Sequence, residues 1–334
     1  MELRLPEEER TIVGSLVEGI RRYNHFLITT HTTSDGDAVA SECAVALLLK
    51  RLGKTVTVVN PDKVPKIYRF LPGSGDITVW RQDLSFDPPV EAIIVIDCGT
   101  RERTGAAGRL IVPGIPVFNI DHHFRNDRFG TLNWVGGHYA AAGEMVYFLL
   151  KEFGDLSVDE ASCIYTAILT DTGSFLYHFS PYTFMILGEL IAAGIDPAHI
   201  ARKVYMERPL GSVRLLSLCL QTLSFDGDLR ACWARITMPM CAETGTGEED
   251  SEGFIDVLKS IEEADVSFLM KEKKNGVKVS LRSRGVVDVE NVTRQFGGGG
   301  HREAAGCFLH NVSCDEAQVR ILDAIRNHGR DSHR

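Results

Sequence analysis

Four short stretches of the chain hold residues suited to metal and phosphate chemistry. His31-Thr-Thr-Ser-Asp35-Gly-Asp37 puts one imidazole and two carboxylates into seven residues. Asp97 closes the apolar run EAIIVID, Asp121-His122-His123 follows the apolar VFNI, and Asp171 lies in AILTDTGSF. If Asp35, Asp37, Asp97 and Asp171 share one crevice, four negative charges repel and their pKa values rise unless cations neutralise them. Imidazole and carboxylate together suit Mn²⁺, Fe²⁺, Co²⁺ or Zn²⁺ better than Ca²⁺, which favours all-oxygen shells. Two such ions about 3.5–4 Å apart can activate water and clamp an in-line displacement at phosphorus. For Asp97 alone, a helix N-cap is the simpler explanation. Chance does not readily supply H-x-x-x-D-x-D and D-H-H in one chain. His25, His138, His178, His199, His310, His328 and His333 have no acidic neighbours in a motif and read as ordinary surface or capping residues.

These residues need elements to hold them. Strand-like apolar runs occupy 26–31, 55–59, 91–97 and 115–120, and helical patterns occupy 37–52, 139–153, 159–170 and 182–193. That alternation predicts an α/β fold with a mostly parallel sheet flanked by helices. In an open α/β sheet, ligands bind outside the carboxyl ends of the strands. The first three stretches sit at such ends, so they are expected to converge. Residues 180–223 read as successive helices. Beyond them come a strand at 231–237, a hairpin over 264–284 turning at Asn275-Gly276, and a short helix stopped by glycine in VDVENVTRQFG. The expected division is a catalytic domain over 1–195, a helical linker over 196–215 and a smaller α/β domain over 216–334, with the active-site cleft between the two domains.

Composition narrows the function classes. The chain has 334 residues and a net charge of −9, which argues against extended non-specific binding to long duplexes but not against a local phosphate site. No apolar run approaches the ~18 residues that span a bilayer. The acidic N-terminus, MELRLPEEERTIVGSL, does not read as a secretory signal. The eight cysteines contain no C-x-x-C, so reduced thiols in a cytoplasmic protein are expected.

The second half adds FGGGGHREAAG at 296–306. Its glycines Gly298, Gly299 and Gly300 stand before a helix-compatible HREAAG, where backbone N–H groups could approach an anion. Lys271, Lys273 and Lys274 read as a solvated hairpin tip, whereas Arg282 and His301 are better candidates for contacting a ligand.

Taken jointly, these motifs resemble the DHH phosphoesterases. The family's first motif runs roughly H-x-N-P-D-x-D-A-x-G-S, and His31 to Ser41 reads HTTSDGDAVAS, with Thr33, Ser34 and Ala40 departing from it. VIDCG, IDHHFRND and TDTGSF match the next three motifs, and SLRSRGVVDVENVTRQFGGGGHREAAG, 280–306, matches the hallmark of the associated DHHA1 domain. The resemblance implies an N-terminal DHH domain and a C-terminal DHHA1 domain. It implies that His31, Asp35 and Asp97 hold one metal, and that Asp37, Asp97, His122 and Asp171 hold a second, with Asp97 bridging. Asp121 would orient the histidines and His123 would contact the scissile phosphate. Arg282, His301 and the glycines Gly298–Gly300 would grip the nucleotide across the cleft. Asn126 and Arg103 could touch substrate or serve as turn residues. The compact size is similar to the branch that degrades very short RNAs and dephosphorylates 3′-phosphoadenosine 5′-phosphate by two-metal activation of water, most often with Mn²⁺ and with Mg²⁺, Co²⁺ or Fe²⁺ as alternatives. That implies a short RNA or nucleotide as partner, no membrane and no long duplex, and allows a homodimer. A soluble cyclic- or linear-dinucleotide phosphodiesterase is the alternative; a single-strand exonuclease or a non-catalytic nucleotide-binding module ranks lower.

Overall fold

The apolar runs of the first half fold as parallel strands buried on both faces, one under α-helices and the other under the segments around 80–90 and 110–115. The computed structural model describes residues 3–176 and 178–328. The outer ends of the expected domains, 1–2 and 329–334, lie outside the described residues. The chain divides into two units, Met1–Met206 and Glu207–Arg334.

The first unit runs α1 (Glu7–Arg22), β1 (His25–Thr29), α2 (Gly36–Arg51), β2 (Thr55–Asn60), β3 (Ile77–Val79), β4 (Ala92–Ile96), β5 (Val117–Asp121), β6 (Leu132–Val135), α3 (Ala142–Lys151), α4 (Val158–Asp171), α5 (Pro181–Ala192) and α6 (Pro197–Ala201). Its sheet has the order β3-β2-β1-β4-β5-β6, and every pairing is parallel. The three central strands β1, β4 and β5 are buried at every position, as a doubly covered parallel sheet requires. Their side chains alternate between two cores. Phe26, Ile28 and Ile94 face the larger one with α2, while Leu27, Ile93 and Val95 face a smaller one with Ile111. Helix α2 is apolar nearly all round and packs against α4, which explains why it is sheathed on both sides. Helix α1 and strands β3 and β6 extend the expected pattern. In α1 the apolar Val13, Leu16, Val17 and Ile20 recur at helical spacing and turn inward.

The second unit runs α7 (Leu210–Leu220), β7 (Ser224–Asp226), β8 (Ala231–Ile236), α8 (Met238–Thr244), α9 (Phe254–Lys259), β9 (Val266–Lys273), β10 (Gly276–Ser283), α10 (Val289–Arg294), β11 (Gly299–His301), β12 (Ala304–His310) and α11 (Cys314–His328). Its sheet order is β11-β12-β10-β9-β8-β7, antiparallel throughout except between β8 and β9. The expected β9–β10 hairpin is present, with Lys273 opposite Gly276.

One expectation fails in this unit. HREAAG does not open a helix; it is the end of β11, the turn and the start of β12 in a hairpin. The reason is steric. A Cβ on Gly298 would lie 2.3 Å from the Gly306 carbonyl oxygen, and one on Gly300, at φ 143°, would lie 2.5 Å from that of Ala304. Glycine there permits close strand pairing rather than a helix start. All eight cysteines are free thiols. Among the described residues, no single helix is long and apolar enough to cross a membrane.

Candidate metal centre

Three adjacent strands of the first unit, β1, β4 and β5, end together, and each delivers part of the constellation. His31 follows β1, Asp97 follows β4, and Asp121, His122 and His123 close β5. Asp35 and Asp37 open α2, and Asp171 ends α4, which packs on α2. That packing is close enough that a Cβ on Gly36 would lie 2.4 Å from Thr170 Oγ1. The glycine between the two aspartates therefore brings the β1–α2 turn onto the end of α4.

Asp97 is the hub. One of its oxygens lies 3.4 Å from His31 Nε2 and the other 3.4 Å from His122 Nε2. His31 Nε2 also faces Asp35 at 3.9 Å; His122 Nε2 faces Asp171 at 3.6 Å and Asp37 at 3.7 Å. The other nitrogen of each ring is committed. His31 Nδ1–H donates to the Thr32 carbonyl at 2.8 Å and His122 Nδ1–H to the Tyr139 carbonyl at 3.3 Å. A carbonyl only accepts, so Nδ1 carries the proton and each Nε2 lone pair points at carboxylates. Two acceptors facing each other need a positive charge between them. Ligand atoms about 2.1 Å from a shared ion lie roughly 3–3.5 Å apart, close to these separations. Asp97 Oδ1 is also buried without a hydrogen-bond partner. The donor set thus fits two divalent ions, one among His31, Asp35 and Asp97, the other among Asp37, His122 and Asp171, with Asp97 in reach of both.

Electrostatics reflects the crowding. Burial, then the charges of Asp97 and Asp171, push Asp37 well above the carboxylate range. They do so although Asp37 accepts from Ala142 N (2.6 Å), Gly143 N (2.9 Å) and Ser41 Oγ (3.0 Å), at the N-terminus of α3. Burial raises Asp171 to about 7 against the pull of His122. Burial would lower His31, but Asp97 and Asp35 outweigh it and hold it at about 9; His122 is raised in the same way by Asp171 and Asp97. Burial alone would raise Asp97, yet the imidazoles on either side hold it well below the usual range. The cluster without metal therefore stores protons where cations would sit. Asp97 itself has φ 55°, a left-handed conformation uncommon for a residue with a side chain.

Around the cluster, Asp121 accepts the His123 Nδ1 proton at 2.7 Å, which orients that imidazole. Asn126 donates to Asp121 and to Asn119 and accepts from Arg128 N, so its amide pins the loop after the histidines. The Arg103 carbonyl accepts from Thr32 N, and its guanidinium is near enough to oppose protonation of His31. Asp35 does two jobs: Oδ1 caps α2 through Ala38 N at 3.1 Å while Oδ2 faces His31.

In the second unit, strand register aligns the basic candidates. Arg282 on β10 pairs with Ala304 on β12, which pairs with His301 on β11. Directly opposed residues share a face, so Arg282 and His301 form one row, about 10 Å across, with a small alanine between them. Arg282 Nε lies 3.7 Å from Asp256. Gly299 and Gly300 belong to the same exposed edge strand as His301.

Sequence reading missed several supports. Glu42 is fully buried in α2, accepts from Asn60 at 2.7 Å and is raised to about 8 by burial; a lone acid inside SECAVALLL was the available signal. Glu144 caps the loop before α3 through Ala140 N. His25, expected at the surface, is buried and bonds the Pro88 carbonyl.

Comparison with known proteins places this geometry among relatives. Residues 25–168 match the DHH family, N-terminal domain, and residues 234–328 match the DHHA1 domain. The bifunctional oligoribonuclease and PAP phosphatase NrnA of Thermus thermophilus is 34% identical over 327 residues, covering 96% of this chain and 94% of that protein. Its Bacillus subtilis namesake is 27% identical, covering 92% and 96%. An exopolyphosphatase-related protein from Bacteroides fragilis has a similar solved structure, with TM-score 0.88 and 26% identity over 95% of this chain and 96% of that one.

Proposed function

The chain belongs to the DHH phosphoesterase family and carries its DHHA1 domain, and from that premise we propose that it hydrolyses short oligoribonucleotides to mononucleotides and 3′-phosphoadenosine 5′-phosphate to AMP. The observation that carries the reading is the pair of imidazole Nε2 atoms aimed at the two oxygens of one buried carboxylate, Asp97. Positive charge must sit between those atoms, supplied by protons in the metal-free cluster and by divalent ions in the metal-loaded one.

We assign His31, Asp35 and Asp97 to one ion and Asp37, Asp97, His122 and Asp171 to the other, with Mn²⁺ the first candidate. When bound, two divalent ions lower the pKa of a water and neutralise phosphoryl oxygens. The chain's own residues do the rest. His123, held through Nδ1 by Asp121, presents its other nitrogen for a phosphoryl oxygen or a transferred proton. Arg103 adds positive charge near His31. Arg282 and His301, in one row of the second unit's sheet, are assigned to a non-scissile phosphate or the nucleotide backbone, with Gly298, Gly299 and Gly300 offering close backbone approach. Asn126 is assigned to keeping the catalytic loop in place. The eight free thiols fit a cytoplasmic location, and a homodimer is a proposal for sedimentation to test.

One assay tests the reading. The protein is incubated with Mn²⁺ and, separately, with an RNA 2-mer, 5-mer and 24-mer, 3′-phosphoadenosine 5′-phosphate, and cyclic di-AMP. The short RNAs and the phosphoadenosine phosphate are expected to turn over well and the 24-mer poorly. Preferred turnover of the cyclic dinucleotide overturns the substrate assignment, and no metal-dependent hydrolysis of any of them overturns the enzyme.

A further inference from the structure

Glu9 is a carboxylate where none is needed for packing. It lies in the first turn of α1 beside Glu7 and Glu8, yet is only 9% exposed, buried against β6 and the turn that precedes α3. Its Oε2 accepts from Trp134 Nε1 at 2.6 Å and from the Tyr139 hydroxyl at 2.8 Å, and its Oε1 lies 3.3 Å from His138 Nε2. A buried carboxylate costs several kcal/mol unless donors surround it, and here two donate to one oxygen while an imidazole faces the other.

The turn that Glu9 holds supports the metal cluster. Gly136 N donates to the Asp121 carbonyl, Tyr139 N to the Gly136 carbonyl, and the Tyr139 carbonyl receives the His122 Nδ1 proton. The same segment continues into Ala142 and Gly143, whose amides bind Asp37. Asp37 and His122 belong to the same group of three potential ligands, with Asp171. So one residue carries both links: the Tyr139 side chain is fixed by Glu9, and its backbone fixes His122. Trp134, the other donor, stacks edge-on against Tyr139, and its backbone is paired with Ile120 of β5 rather than with a residue assigned to the metals.

We propose that Glu9 is a positioning residue for the second metal: by clamping the Tyr139 hydroxyl it fixes the carbonyl that sets the direction of the His122 imidazole. The first site, with His31 oriented by Thr32, is outside this clamp. The inference rests on the dimetal reading above.

The test is Mn²⁺ binding by titration calorimetry on the full chain, with thermal melting alongside. Wild type is expected to bind two ions. Tyr139→Phe and Glu9→Ala are each expected to weaken the second ion about tenfold and leave the first within twofold, as lost outer supports of a ligand do. The double variant should add less than twofold more, because both changes break one link. Glu9→Gln, which can still accept from the hydroxyl, should recover most of the affinity. Trp134→Phe should lower the melting temperature without moving either affinity. Should Glu9→Ala fail to fold, Tyr139→Phe decides. Second-ion affinity within twofold of wild type in Tyr139→Phe, or losses that multiply in the double variant, overturns the proposal alone. A wild-type chain that binds fewer than two ions overturns the dimetal reading itself.

Discussion

The two units present their candidate residues in opposite ways. In the first, charged side chains are buried: Asp97 is 2% exposed, Asp37 1% and His122 7%. In the second, the edge strand with Gly299, Gly300 and His301 is exposed, and Arg282 is half-buried beside Asp256. Burying unpaired charge is so unfavourable that a cluster of it implies a missing counter-charge. A half-buried Arg and an exposed His imply nothing by themselves, since neither is shut off from solvent. The first site therefore announces its ligand through electrostatics, whereas the second is recognised through register, from Arg282, Ala304 and His301 falling in one row.

The contrast is broken most severely at Asp97. Asp97→Asn keeps the shape but removes the charge that both imidazoles face, and turnover should fall by about 10³-fold or more. Circular dichroism should be unchanged, because the loss of one like charge relieves Asp37 and Asp171. Retained turnover in a folded variant would separate catalysis from this cluster.

Next in size is pH. His31 is held at about 9 and Asp171 at about 7, and cations must displace those protons. Mn²⁺ affinity should rise about tenfold per pH unit for each proton displaced, and level off above about pH 9. Stability of the metal-free protein runs the other way. Both folded-state pKa values lie above their ordinary values, so the protons stabilise the fold fully at low pH. That contribution is lost as pH rises through 7 for Asp171 and through 9 for His31. Calorimetric titrations from pH 6 to 9 and melting in EDTA check both slopes. An affinity independent of pH would mean that the imidazoles are not ligands.

The second unit should respond differently. Arg282→Ala is expected to raise KM for the phosphoadenosine phosphate by about 10–100-fold while leaving Mn²⁺ affinity and kcat near wild type. Arg282→Lys should recover little, since an ammonium lacks the planar fork. Loss of kcat with KM unchanged would move Arg282 out of substrate binding.

The same contrast explains what was legible in the sequence. His31, Asp35, Asp37, Asp97, Asp121, His122, His123 and Asp171 stood out because carboxylates and imidazoles interrupt apolar strands and helices, where propensity does not favour them. The parallel sheet was legible because β1, β4 and β5 are continuous apolar runs. Helix α1 and Glu9 were not, since an acidic first turn is what any solvated helix shows. The glycine run reads as a helix start in sequence because glycine marks any close backbone approach, and only the pairing of β11 with β12 distinguishes the cases. Glu42 was visible as a lone acid, but its burial depends on α2 being covered on both sides, which no single stretch reports.

The smallest effect is expected at Thr33, where this chain departs from the family's usual Asn. Thr33 has φ 60°, a conformation that crowds a β-branched side chain and that Asn tolerates. Its backbone N–H donates to Asp62 at 2.7 Å, which holds the residue in that strained geometry. The neighbouring departure is better accommodated, because the Ser34 hydroxyl donates to the His31 carbonyl at 3.1 Å and so braces the ligand's own backbone, a bond proline cannot make. Thr33→Asn should therefore stabilise the metal-free protein by about 1 kcal/mol, a rise in Tm of roughly 2–4 °C, without changing Mn²⁺ affinity. Ser34→Pro should do the reverse, weakening the first ion more than the second, since His31 belongs to the first. If Thr33→Asn leaves Tm unchanged, the turn stores no strain at that residue. If Ser34→Pro weakens both ions equally, the brace reaches Asp97 as well, and the two metal positions are less independent than the separate supports of His31 and His122 imply.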